Sequence, residues 1–189
     1  MTDRFTRLVV LSGLVSAVVL VLNAGRRAGF LPNSALLHGV APLAEAAGLI
    51  ALTGLYLRQR GADRGLGLAG YAASVVGLSG LLGAEFITNL IFPAVGAAET
   101  KALLGGPTGV EFTIAAVVFL IGTVVFGAAL YRHGELPRAA TAAYVAGGVV
   151  ISLRAFVPVS VLVAGLLAVA AGIGWLSVAL GRRVVVGVG

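Results

Sequence analysis

The sequence predicts an all-α, polytopic transmembrane bundle of six helices with both termini on the cytoplasmic side. Three observations predict it. Of 189 residues, 59% are hydrophobic and only 11% charged, where a soluble domain carries about 25% charge. Mean hydropathy is +1.08, and long apolar runs recur from Leu8 to the C-terminus. Arginines gather between those runs, where orientation signals belong.

The whole chain, 1–189, reads as one transmembrane domain. The first span is expected at about Leu8–Ala24. With Arg4 and Arg7 before it, it has the form of a signal peptide, but Leu22 stands where a cleavage site prefers a small residue, so an uncleaved helix is expected; cleavage would leave five helices. The second is expected at about Leu36–Leu57, ending at the basic loop Arg58, Arg60 and Arg64. The third covers about Leu66–Phe92 and the fourth about Val110–Tyr131. Between them, Ala97–Leu104 has the form of a short interfacial helix stopped by Gly105, Gly106 and Pro107. It suits either a lid or a plain connector. The apolar run after Arg138 is too long for one helix. Arg154 and Pro158 divide it into about Ala139–Phe156 and Val159–Leu180, since proline starts helices well and continues them badly.

Orientation follows from the loop cations. With the N-terminus inside, nine arginines lie on the cytoplasmic side: Arg4, Arg7, Arg58, Arg60, Arg64, Arg132, Arg138, Arg182 and Arg183. Four cations lie outside: Arg26, Arg27, Lys101 and Arg154. The balance favours both termini in the cytoplasm, although the Arg26–Arg27 pair opposes it. The expected location is the plasma (inner) membrane, with the lipid bilayer as the main partner.

Composition excludes several functions. The net charge of +6 reflects loop arginines and not a nucleic-acid surface. With no cysteine, disulfides and thiolate metal sites are excluded. No zinc centre or other cofactor is expected, because one histidine stands near the candidate site. A retinal Schiff base needs an intrahelical lysine, and the only lysine, Lys101, falls in a loop. The Ala, Gly, Val and Arg bias is that of a GC-rich bacterial genome.

The unusual residues are carboxylates inside apolar spans. Glu45, Glu85 and Glu111 each stand where a charge costs about 2.5–3.5 kcal/mol unless neutral, paired or wet. On the expected topology all three fall toward the outside, with Asn23, His38 and Arg154. Glu45 lies roughly 10 Å below His38, and the two share a stripe at i and i+7. Glu85, Thr88 and Asn89 share a stripe on the third helix. Glu45 and Glu85 are therefore the candidates for a common cavity, as ligand-binding groups or as a catalytic acid. Asn89, Arg154, His38 and Glu111 are candidate binding residues around them. Each has a structural alternative. Glu45 or Glu85 can form a helix-pairing ion pair with Arg154, Glu111 can sit among headgroups, and His38 can be interfacial. One arginine cannot neutralise two glutamates, so one neutral acid is expected.

Glycine occupies 28 positions, several within spans. Gly77, Gly80 and Gly83, and the pair Gly147-Gly148, fit close helix packing. Leu55-Tyr56, Arg58, Gly61, Arg64 and Tyr71 recur loosely as Leu130-Tyr131, Arg132, Gly134, Arg138 and Tyr144, which fits either duplication or convergent basic hairpins. The segment Gly127–Arg138 (GAALYRHGELPR) resembles a hairpin of uncharacterised bacterial six-helix membrane proteins. That resemblance implies a six-helix bundle and carries no activity or site residues.

Three functions fit these residues. The first is an extracytoplasmic-side polar pocket that binds or transports a small or cationic ligand, or relays protons, with a homodimer expected for so small a transporter. The second is a membrane enzyme using Glu45 or Glu85 as general acid on a hydrophobic, lipid or prenyl-type substrate. The third is a structural or accessory subunit.

Overall fold

The computed structural model describes residues 3–59 and 65–186. Arg60 and Arg64 lie outside the described residues, as does the side chain of Arg183. Every regular element described is helical. In order these are α1 (Asp3–Arg27), α2 (Ala35–Val40), α3 (Leu43–Gln59), α4 (Leu66–Phe86), a π-helical turn (Ile87–Ile91), a 3₁₀ turn (Phe92–Ala94), α5 (Ala97–Leu104), α6 (Pro107–His133), α7 (Arg138–Ser152) and α8 (Val159–Val186).

Helix packing closes a ring. α1 packs on α3, α3 on α4, α4 on α6, α6 on α7, α7 on α8, and α8 returns to α1. The α4–α6 contact is the most extensive, and glycine permits it. A Cβ on Gly77 would collide with the backbone of Phe119, and one on Gly122 with the backbone of Ser74. Such close approach is how helices hold together where lipid removes any hydrophobic drive between them. The core within the ring includes Leu52, Leu55, Phe126, Leu130 and Leu176. Leu11, Val18, Val76, Ile114 and Ile121 face outward and are exposed, as expected of a lipid-facing flank.

Five segments are long and apolar enough to cross a membrane: Arg4–Arg27, Ala35–Gln59, Leu66–Ala94, Pro107–His133 and Val159–Arg182. The expected fifth span, Ala139–Phe156, is not among them. Its helix, α7, ends at Ser152 after 15 residues, about 22 Å at 1.5 Å per residue. That is short of a hydrocarbon core of about 30 Å. The chain turns at Leu153–Phe156 instead, and Arg154 sits in that turn.

The expected second span is kept as the segment Ala35–Gln59, but its helix is interrupted. Leu36–Leu57 is not one helix but α2 and α3, separated at Ala41–Pro42. Proline removes a backbone donor and its ring clashes with the preceding turn, so the helix breaks there. Elsewhere the punctuation agrees with the expectation. α5 spans Ala97–Leu104, and Pro107 stands in the first turn of α6. Gly134 ends α6 with φ +69 and donates to Leu130 O, the left-handed cap that glycine adopts without a Cβ penalty.

Candidate functional site

At one end of the ring, α4 passes into the π-turn that carries Asn89. Phe92 N–H donates to Ile87 O, five residues back. The Asn89 side chain occupies the neighbouring carbonyl: its Nδ2 donates to Glu85 O at 2.9 Å and to Glu85 Oε2 at 2.8 Å. A side chain that competes for a helix carbonyl favours such a local shift in register. π-turns of this kind concentrate at functional sites.

Glu85 is buried and fully engaged. Its Oε1 accepts from Arg154 at 3.0 Å and lies 3.9 Å from Arg27. Its Oε2 accepts from Asn89. Both arginines keep part of their side chains accessible, 24% for Arg154 and 30% for Arg27. Arg154 also lies over the Phe112 ring, 5.9 Å from its centroid, a cation–π distance.

A second layer extends from Asn89. Arg26 donates to Asn89 Oδ1 at 2.8 Å and to Asn23 Oδ1 at 3.1 Å. It also reaches His38 Nδ1 at 2.8 Å. His38 Nδ1 also lies 3.1 Å from Asn89 Oδ1, and Nε2 lies 2.8 Å from Asn33 Oδ1 and 3.2 Å from Arg26, so the ring's donor and acceptor roles follow its tautomer. The helix break at Pro42 is what frees α2 to bring His38 over this cluster.

Glu45 differs. Its Oε2 is enclosed and has no hydrogen-bond partner, a costly arrangement for a polar atom. It stands where two cavities adjoin. One, of about 30 Å³, is walled by Asn23, Arg27, Glu45, Glu85 and Arg154 among others. The other, of about 50 Å³, lies on the ring axis and takes a residue from every ring helix: Ser16, Glu45, Leu78, Phe119, Tyr144 and Val169. Glu45, Leu81 and Ile151 belong to both walls. A water needs about 10–15 Å³, so each cavity has room for a few waters. Tyr144 lines the axial cavity, and its hydroxyl, like those of Ser74 and Thr123, is enclosed without a hydrogen-bond partner.

The structure thus brings together Glu45, Glu85, Asn89, His38 and Arg154. It leaves Glu111 apart. That residue is exposed and lines a separate apolar groove between α4 and α6. The i, i+7 stripe joining His38 to Glu45 does not survive the break at Pro42: His38 binds Arg26, while Glu45 faces the axis. Arg26, Arg27 and Asn23 are the cluster residues that sequence reasoning used only for orientation and depth, and Asn33 had no signal. The signal for the arginines was their misfit with the loop-charge rule. Cations that oppose the rule are candidates for internal pairing. Among the described residues, no three or more His, Asp or Glu side chains are grouped to hold a metal ion.

Comparison with known protein families, with curated protein sequences and with solved structures gives no match to this chain.

Proposed function

We propose that this chain is a multi-pass membrane protein of the plasma membrane that relays protons, with Glu45 as the relay group. The observation that carries this reading is the partnerless Glu45 Oε2 at the junction of two cavities. A carboxyl in that position can take a proton from one side and release it to the other. The proton is the cationic ligand that fits. Cavities of about 30 and 50 Å³ are far below the roughly 300–1,000 Å³ of ordinary ligand pockets. The same sizes weigh against a prenyl-type substrate held inside the ring.

In this reading the Glu85–Arg154–Arg27 cluster closes the path at the extracytoplasmic end. Its two cations face Glu45 and set the field there, and Tyr144 is the next polar group along the axis. α7 serves as the sixth span, shorter than the other five. Both termini are cytoplasmic. Reporter fusions at Arg64, Lys101 and Arg183 test the topology, with an extracytoplasmic signal expected only at Lys101.

The functional test is proton flux into proteoliposomes followed with an internal pH-sensitive dye under an imposed potential. Wild type should acidify the lumen. Glu45→Gln should fold and remain silent. Equal flux in wild type, Glu45→Gln and empty liposomes would leave only a structural role for Glu45.

A further inference from the structure

A second, larger space lies on the opposite side of Arg27 and Arg154 from Glu45. It is a groove of about 560 Å³ along α6, the α7–α8 turn and the start of α8, within the size range of ligand sites. Arg27, Arg154 and Leu162 form the partition it shares with the inner polar cavity. Its remaining walls are mostly apolar and aromatic, with Phe112 and Leu120 along the length and Phe156 at the edge. Phe156 is 87% exposed and Val117 48% exposed, so the groove runs open along the apolar flank of the bundle.

Charge decides the occupant. The cluster at this end holds three arginines: Arg26, bonded to Asn89, and Arg27 and Arg154, which among the described residues pair with one carboxylate, Glu85. Arg27 reaches Glu85 only at 3.9 Å, so its guanidinium donors are not saturated by that contact. A cationic head would be repelled. A zwitterionic head would bring its own cation to the same place. An anionic oxygen in the groove would meet two guanidinium groups, which match phosphate geometry.

We propose that this groove is a binding site for a phospholipid with a net anionic headgroup. Its phosphate lies against Arg27 and Arg154, and one acyl chain lies along Phe112, Leu120 and Leu162. The site lies outside the Glu45 cavity but shares Arg27 and Arg154 with the cluster that closes the proposed proton path; its binding is read without any proton flux. Its lipid and Glu85 draw on the same two arginines, so headgroup and carboxylate compete for them.

The test uses purified protein in neutral detergent, titrated with phosphatidylglycerol or with phosphatidylcholine of identical chains, and read by native mass spectrometry. Phosphatidylglycerol should bind stoichiometrically and several-fold more tightly than phosphatidylcholine. Arg27→Gln should weaken phosphatidylglycerol roughly five-fold, about what one arginine contributes near a charged surface, and Arg27→Lys should restore much of it. Ala116→Trp fills the groove with both arginines intact, and should block the lipid. Soluble glycerol phosphate should not compete, because it lacks the chain. Equal binding of the two lipids, phosphatidylglycerol binding that persists in Ala116→Trp, or full competition by glycerol phosphate would overturn the site. Proton flux is measured independently, so its loss or persistence leaves this result unaffected.

Discussion

Glu85 and Glu45 are two glutamates at similar depth in neighbouring helices, and they share a cavity wall. Their surroundings are opposite. Glu85 has a bond for each oxygen: Arg154 on one, Asn89 on the other, with Arg27 close by. Glu45 keeps an enclosed oxygen with no partner. Residue type and depth alone do not tell a structural carboxylate from a working one. The donors around it do. Glu85 is spent on holding four segments together, and Glu45 is left available.

Substitutions should separate the two. The largest effect is expected for Glu85→Leu, which strands two arginines and Asn89. Removing one partner of a buried pair costs about 3–5 kcal/mol. The partial exposure of both arginines brings the expected loss to about 2–4 kcal/mol, read as a lower thermal midpoint in detergent. An unchanged midpoint would remove the contrast. Arg154→Leu should cost less, about 1–3 kcal/mol, since Arg27 can move from 3.9 Å to take over Glu85. The double variant Arg27→Leu/Arg154→Leu should then cost more than the sum of the singles, and simple additivity would show that the arginines do not substitute for one another.

Next comes Asn89→Ala. It removes two bonds to Glu85 and one from Arg26, and about 1–2 kcal/mol of stability should go with them. Replacing Asn89 should also raise hydrogen exchange in the Ile87–Ile91 turn. Unaltered exchange there would mean that the π-turn does not depend on this side chain. The smallest stability effect, within about 0.5 kcal/mol, is expected for Glu45→Gln, which keeps the side chain's shape; Glu45 Oε2 has no partner to lose. A loss as large as that of Glu85→Leu would mean that Glu45 is structural after all.

Sequence reasoning reached the helical class, the α5 boundaries and the separation of α7 from α8 because proline, glycine and apolar length act locally. It also pointed to Arg154 as a partner for a buried glutamate, since an unpaired charge at that depth is costly. It did not place the rest. Pro42 lies within a long apolar run that reads as one span, and sequence reasoning drew nothing from it. The π-turn depends on the tertiary fit of Asn89 between Glu85 and Arg26. Arg26 and Arg27 stand next to an expected span end; their opposition to the loop-charge rule marks them as unusual, but only the fold shows that they pair with Asn89 and Glu85. Glu111 has the same sequence signature as Glu45 yet faces outward, because it falls in the second turn of α6 on the far side from the axis.

The most direct test of Glu45 as the relay is pH-dependent infrared difference spectroscopy of the reconstituted protein. A carboxyl C=O band should respond to bath pH in wild type, shift in deuterium oxide, vanish in Glu45→Gln and persist in Glu85→Gln. A band that persists in Glu45→Gln and vanishes in Glu85→Gln, or no responsive carboxyl band at any pH, would contradict it.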